Sequence, residues 1–221
     1  MPTASSQTRG GDLRARRRQQ TRDEALDHAV AIMGELGVGG LSVSEVARRL
    51  GIRGPSLYKH FPSLHALYDA LFARGLADSQ RSVHVALDQH PPGVDRLRAG
   101  SERLIRWAVA NPALAQLLFW RPVPGFEPSP ETFAASEQDM QLLRQQLRLA
   151  VSAGELRSEA SDDDAVRLLT VLMSGVLSQH LANQPTRSYE SGDFTRLTRP
   201  ALDLFFTFYA PTGGPHAAPE H

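Results

Sequence analysis

The chain has 221 residues, no cysteine, 41% hydrophobic residues, and 24 basic against 24 acidic side chains. That hydrophobic content supports a real core at this length, and the lack of cysteine excludes disulfides, thiolate metal sites and thiol redox chemistry. The even balance hides an asymmetry: residues 1–60 hold ten basic and six acidic residues, so a basic N-terminal part is joined to a mildly acidic body.

Residues 1–20 are polar and arginine-rich and read as a disordered basic arm. In it Arg14, Arg16, Arg17 and Arg18 would neutralise phosphates. The segment has no apolar core, so no secretory signal is expected. A first helix is predicted from Thr21 to Leu36, where Leu26, Ala29, Val30 and Met33 share one face. "GVGG" ends it, because glycine tolerates the left-handed cap. Ser42 is predicted to cap a second helix, with Glu45 completing a capping box. Val43, Val46, Ala47 and Leu50 repeat the apolar spacing there. Gly51 stops that helix, and Pro55 suits the first turn of a third, Gly54 to Phe61. Leu57 and Phe61, four positions apart, are its inward residues.

A fourth helix starts with the stripe Leu64, Leu67, Tyr68 and Leu71 and is expected to reach about Gln89. Further helices are predicted near 94–110, 112–120, 130–153, 162–184 and 192–209. Between two of them, Arg121 to Pro130 contains four prolines and cannot be regular helix. Residues 212–221 read as a loose tail. No segment alternates like a strand, so the chain is expected to be all-α. Its expected organisation is an arm over 1–20, a helix-turn-helix domain over 21–68, a larger helical domain over 69–211, and the tail.

Two short helices joined by a tight turn at Gly51 form a helix-turn-helix pattern. With Leu57 and Phe61 turned inward, the third helix presents Arg53, Pro55, Ser56, Tyr58, Lys59 and His60. Lys59 is the only lysine of the chain. Hydroxyls and cations of this kind bond phosphate oxygens and base edges, so the surface predicted to meet them is the major groove of double-stranded DNA.

Residues 21 to about 71 resemble the DNA-binding domain of TetR-family (tetracycline-repressor-like) transcriptional regulators. The resemblance is carried by Ser42, Val46, Ala47, Gly51, Ile52, Ser56, Leu57, Tyr58, His60 and Phe61. It implies that Tyr58 contacts phosphate, that Pro55 and Ser56 face the groove, that Ser42 is both cap and phosphate contact, and that Ser44 is a candidate base contact. The sequence departs from the family pattern at Leu64, where a lysine often grips the DNA backbone. Gly54 lacks a side chain where some members read a base, which leaves Arg53 and Lys59 as the preferred base readers.

In this family the C-terminal helices build a dimer interface and a ligand cavity. The run Ala165 to Leu181 is apolar nearly all round, and the last helix holds three phenylalanines and a tyrosine within ten residues. Leu172, Val176, Leu202, Phe205 and Tyr209 are therefore expected at a homodimer contact. Trp107, Asn111, Phe119, Trp120, Met140, Met173 and His180 are candidates to line a pocket for a small, largely apolar effector. No G-x-S-x-G elbow, H-E-x-x-H pair or glycine-rich phosphate loop is present, the histidines are scattered, and "DDD" at 162–164 suits a helix start. No enzyme activity, metal or cofactor is expected. The apolar run from Leu168 to Leu181, fourteen residues, is short for a membrane span, and a cytoplasmic protein with no membrane partner is expected. These readings converge on a repressor that binds a (pseudo)palindromic operator as a dimer and is released by its effector. The alternative is a ligand-independent helix-turn-helix protein of chromatin or replication control.

Overall fold

The computed structural model describes residues 5–211, with side chains from Leu13 onward. The described residues form nine α-helices, three short 3-10 turns and no strand: α1 (Ser5–Leu36), α2 (Val43–Arg49), α3 (Gly54–Tyr58), α4 (Leu64–Leu87), α5 (Val94–Ala110), α6 (Pro112–Trp120), α7 (Pro130–Ser152), α8 (Asp163–Asn183) and α9 (Thr198–Phe208). The expected all-α class is the observed one. The tail 212–221 and the first four residues of the expected arm lie outside the described residues.

Three boundaries differ from the sequence reading. The arm is corrected: residues 5–20 are the first half of α1. Arginine and glutamine are good helix formers, and Gln19 and Gln20 donate to Asp23 and Glu24 at i, i+4 while the Thr21 hydroxyl donates back to the Arg17 carbonyl. Thr21 thus lies inside the helix. α3 ends at Tyr58 rather than Phe61, because the His60 and Phe61 amides both fold back onto the Leu57 carbonyl. The last helix starts at Thr198, after a 3-10 turn over Thr195–Leu197; Pro200, without an N–H, fits only its first turn.

The chain divides into two compact units, Met1–Gly75 with Ala113–Thr132 and Leu76–Pro112 with Phe133–His221. The division falls inside α4, not after residue 68. In the first unit Ile32, Val46, Leu57, Phe61, Leu67 and Leu71 are fully buried. Gly51, at φ +71°, makes the turn between α2 and α3. α6 belongs with this unit because Gly75 lets it approach: a Cβ there would lie 2.6 Å from Leu118 Cδ1. The proline-rich connection follows, with Phe126 packed on Tyr68 and Phe72 at centroid distances of 5.6 and 6.4 Å.

In the second unit α5 packs on α8 and α9, and α8 on α9. Leu97, Ile105, Leu169, Leu177, Leu202 and Phe205 form its core. The Glu155 carboxylate accepts the Val94 amide at 2.6 Å and caps α5. Asp163 and Asp164 sit in the first turn of α8, where they pair with Arg144 and Arg167. α8 is long and apolar enough by composition to cross a membrane; in this fold its Leu169, Met173, Leu177 and His180 face is buried.

Tyr68 ties α4 to the turn after α1, its hydroxyl donating to the buried Val38 carbonyl at 2.6 Å. Tyr68→Phe leaves that carbonyl without its partner and should lower unfolding free energy by about 1–3 kcal/mol in chemical denaturation.

Candidate nucleic-acid interface

The interface is built on α2 and α3. Ser42 caps α2: its backbone is extended and its Oγ accepts the Glu45 amide at 3.3 Å. The capping box is only half formed, because the Glu45 carboxylate turns to Arg48 at 2.7 Å and Arg49 at 2.8 Å instead of back to Ser42. Arg49 also donates to Glu35 at the end of α1, at 2.6 and 2.8 Å. The Arg48 and Arg49 guanidinium groups hold the Glu45 carboxyl down to about 2, and Arg49 lowers that of Glu35. Both basic residues are thereby paired, Arg48 within α2 and Arg49 as a bridge that fixes α2 to α1.

The cations left over are Arg53 and Lys59. Both are exposed, and among the described residues neither carries a carboxylate partner. Ser44, Pro55 and Tyr58 are exposed beside them, Tyr58 by half its surface. Ser56 is half-buried, and the Ser42 hydroxyl is shared between its capping bond and Ser44 at 3.3 Å. The opposite side of α3 is held down by Leu57 and Phe61, both buried. The result is a short ridge of hydroxyls, one proline and two free cations.

His60 departs from the expected surface role. It is half-buried, and its Nδ1 is buried without a hydrogen-bond partner. Burial first, and then the charges of Arg18 and Arg22, hold its imidazole below the ordinary value of 6.5. Arg18 and Arg22 themselves reach the backbone at the end of α3, a placement that their appearance in a basic run does not reveal.

Phe119 and Trp120 of the expected pocket belong to the first unit and the other five residues to the second. Phe119 and Trp120 meet edge to face at 6.1 Å at the end of α6, 43% and 38% exposed. Trp107 is buried and donates from Nε1 to Asp78 at 2.9 Å; Asn111 ends α5 and donates to the Trp107 carbonyl. Met140 is exposed and Met173 buried. His180 is fully buried, with Nε2 3.1 Å from the Arg187 carbonyl, so it secures the loop after α8. A polar group that the sequence does not single out lies between α4 and α7. Gln80 donates to Asp139 at 2.8 Å and to the Ala135 carbonyl, and burial raises the Asp139 carboxyl. Gln146 is buried with its Oε1 unpartnered. Its position one turn before Ala150, on the apolar side of α7, is the signal that could have found it.

A separate groove of about 430 Å³ opens along α5 and includes Arg98, Glu102, Arg103, Arg106 and Arg199. It contains none of the expected pocket residues. Arg98 pairs with Asp203, Arg199 with Glu102 and Arg106 with Glu190, while Arg103 donates to the Ser82 hydroxyl.

The residues expected at a dimer contact differ in their burial. Leu202, Phe205 and Tyr209 are buried within the protomer, at 0%, 1% and 6% exposure, and Leu172 and Val176 are half-buried. The outward apolar residues are Leu168 and Val171 on α8 and Leu204 and Phe208 on α9. One position around a helix separates Phe205 from Leu204, and apolarity on both sides of α9 conceals which side the core takes.

Two family descriptions match the chain: bacterial regulatory proteins of the tetR family over residues 25–71, and the tetracyclin repressor-like C-terminal domain over residues 97–203. Together they cover most of it. The chain belongs to the TetR family. Among its relatives, the HTH-type transcriptional regulator Rv1816 of Mycobacterium tuberculosis is 31% identical over 115 residues, 51% of this chain and 46% of the relative. The match therefore spans about half the length of that relative. The tetracycline repressor protein class A from transposon 1721 of Escherichia coli is 43% identical over 51 residues, 23% of this chain and 24% of the repressor. Among solved structures, the fatty acid degradation regulator FadR from Bacillus halodurans shares the fold with a TM-score of 0.70 at 17% identity, covering 84% of this chain and 94% of FadR.

The lowered His60 value has a definite sign. A histidine whose folded value lies below its unfolded value is protonated preferentially in the unfolded state. Its stabilisation is complete above about pH 6.5 and is lost as pH falls through the folded value. The thermal midpoint should therefore drop between about pH 7.5 and pH 5.5, and His60→Gln should reduce that drop, as followed by circular dichroism.

Proposed function

We propose that this TetR-family protein is a transcriptional repressor that binds a (pseudo)palindromic operator as a homodimer and is released by a small, largely apolar effector. The observation that carries the reading is the ridge on α2 and α3: Arg53 and Lys59 are free of carboxylates while Arg48 and Arg49 are consumed by Glu35 and Glu45. A ridge of this kind enters the major groove, with Tyr58 and Ser42 on phosphate and Arg53, Lys59 and Ser44 toward base edges. Pro55 and Ser56 complete the groove-facing surface. This is DNA binding and not catalysis, and it takes place in the cytoplasm.

The exposed apolar side of α8 and α9 supports the dimer. Val171, Leu204 and Phe208 are 65%, 68% and 59% exposed, a large apolar patch for a protomer to leave in water. A twofold contact there pairs the two recognition helices on one duplex face. The effector site is assigned to the second unit, where Trp107 and Met173 supply apolar surface and the unpartnered Gln146 Oε1 supplies an acceptor. Asn111, Met140 and His180 belong to its surroundings, and Phe119 and Trp120 to the first unit.

Two experiments test this. First, Phe208→Glu or Leu204→Glu should give a folded monomer by light scattering and circular dichroism, with operator binding weakened at least about a hundredfold. Phe205→Glu should instead disrupt folding, because its side chain lies in the core. Second, an operator selected from a random DNA pool should be bound far more tightly than other duplexes. On single-base variants of it, Arg53→Ala or Lys59→Ala should relax preference at one position in each half-site by about 1–3 kcal/mol. Uniform loss on all duplexes would make both residues backbone anchors. Salt-sensitive binding to any duplex, unaffected by metabolites, would favour the ligand-independent alternative.

A further inference from the structure

α3 ends at Tyr58, and the carbonyls of Lys59 and His60, the two residues after it, receive no backbone N–H among the described residues. Two guanidinium groups from α1 close that end. Arg22 donates from Nη1 to the His60 carbonyl at 2.6 Å, and its Cζ lies 4.5 Å from the centroid of the buried Phe61 ring. One turn earlier on α1, Arg18 donates from Nη2 to the Lys59 carbonyl at 3.4 Å. Phe61 is in turn bonded back to α3, its amide donating to the Leu57 carbonyl at 3.0 Å. The guanidinium of Arg22 therefore joins the end of the recognition helix and the first buried aromatic beyond it into one unit.

We infer that Arg22, supported by Arg18, is a positioning residue for sequence recognition: it clamps the C-terminal end of α3 so that Tyr58 and Lys59 meet DNA in one orientation. The inference rests on the reading of α3 as the helix that enters the groove. Arginine suits the task and lysine does not. A planar guanidinium lies flat on a ring while its edge donates hydrogen bonds, whereas an ammonium is a point charge without a face. The positive charge also sits at the negative end of the helix. Arg18, counted by sequence among the phosphate-neutralising arginines, is redirected to protein.

A phosphate contact and a clamp have different signatures in salt. Removing a phosphate contact lowers the slope of log affinity against log salt by about 0.9 and weakens all duplexes alike. Removing a clamp leaves the charge count on DNA unchanged and erodes discrimination. The test compares wild type, Arg22→Met, Arg22→Lys and Arg18→Ala on the selected operator and a scrambled duplex across a salt series. Arg22→Met should lower the operator-to-scrambled affinity ratio by roughly tenfold or more with no change in slope. Arg22→Lys, which keeps the charge, should not restore the ratio, and Arg18→Ala should lower it by a smaller factor. Circular dichroism identifies a variant that fails to fold; the folded lysine and Arg18 variants then carry the test. A slope reduced by about 0.9 with an unchanged ratio would make these arginines phosphate contacts. An altered melting temperature with both ratio and slope intact would make them merely structural. Either result overturns the clamp. A wild-type protein without operator preference would instead overturn the operator reading, and the inference with it.

Discussion

A recognition helix of five residues cannot hold itself together. Isolated helices below about 12–15 residues are marginal in water, so the shape that α3 offers to DNA is imposed from outside. Leu57 and Phe61 anchor its underside in the core of the first unit. Arg53, in extended conformation, opens it, and Pro55 presets its first turn. Ser42 caps the helix before it, and the Glu35–Arg49–Glu45 bridge fixes that helix to α1. Each of these contacts acts on DNA binding indirectly, by limiting the orientations open to the ridge.

The same arrangement resolves the charge problem raised by the composition. A neutral chain binds DNA through a local surplus, and the surplus depends on which arginines are already paired. Arg48 and Arg49 are spent on Glu45 and Glu35, and Arg18 and Arg22 face the backbone of α3. Arg53 and Lys59 remain free. Counting basic residues along the sequence overstates the electrostatic footprint; the three-dimensional pairing corrects it.

Much of this was legible in the sequence because it depends on local rules. The Ser42 cap, the positive-φ turn at Gly51, the inward Leu57 and Phe61 and the run of later helices all follow from spacing and backbone chemistry. What was not legible depends on long-range choices. Glu45 fits a capping box, yet Arg48 and Arg49 draw its carboxylate away from Ser42. Residues 5–20 look disordered by composition, but they belong to α1, with side-chain bonds at i, i+4 between residues 17 and 24. α9 is apolar on both sides, so periodicity could not decide whether Phe205 or Phe208 faces the core. His60 acquires its character from burial, which no single-residue signal carries.

The central claim is that two copies of α3 enter successive major grooves on one face of the duplex. Methylation protection of guanine N7 on a selected operator tests it directly, since N7 lies in the major groove. Two protected clusters related by twofold symmetry are expected, with centres about 34–36 Å apart. A single cluster, or tight binding with every N7 left open to methylation, would contradict it.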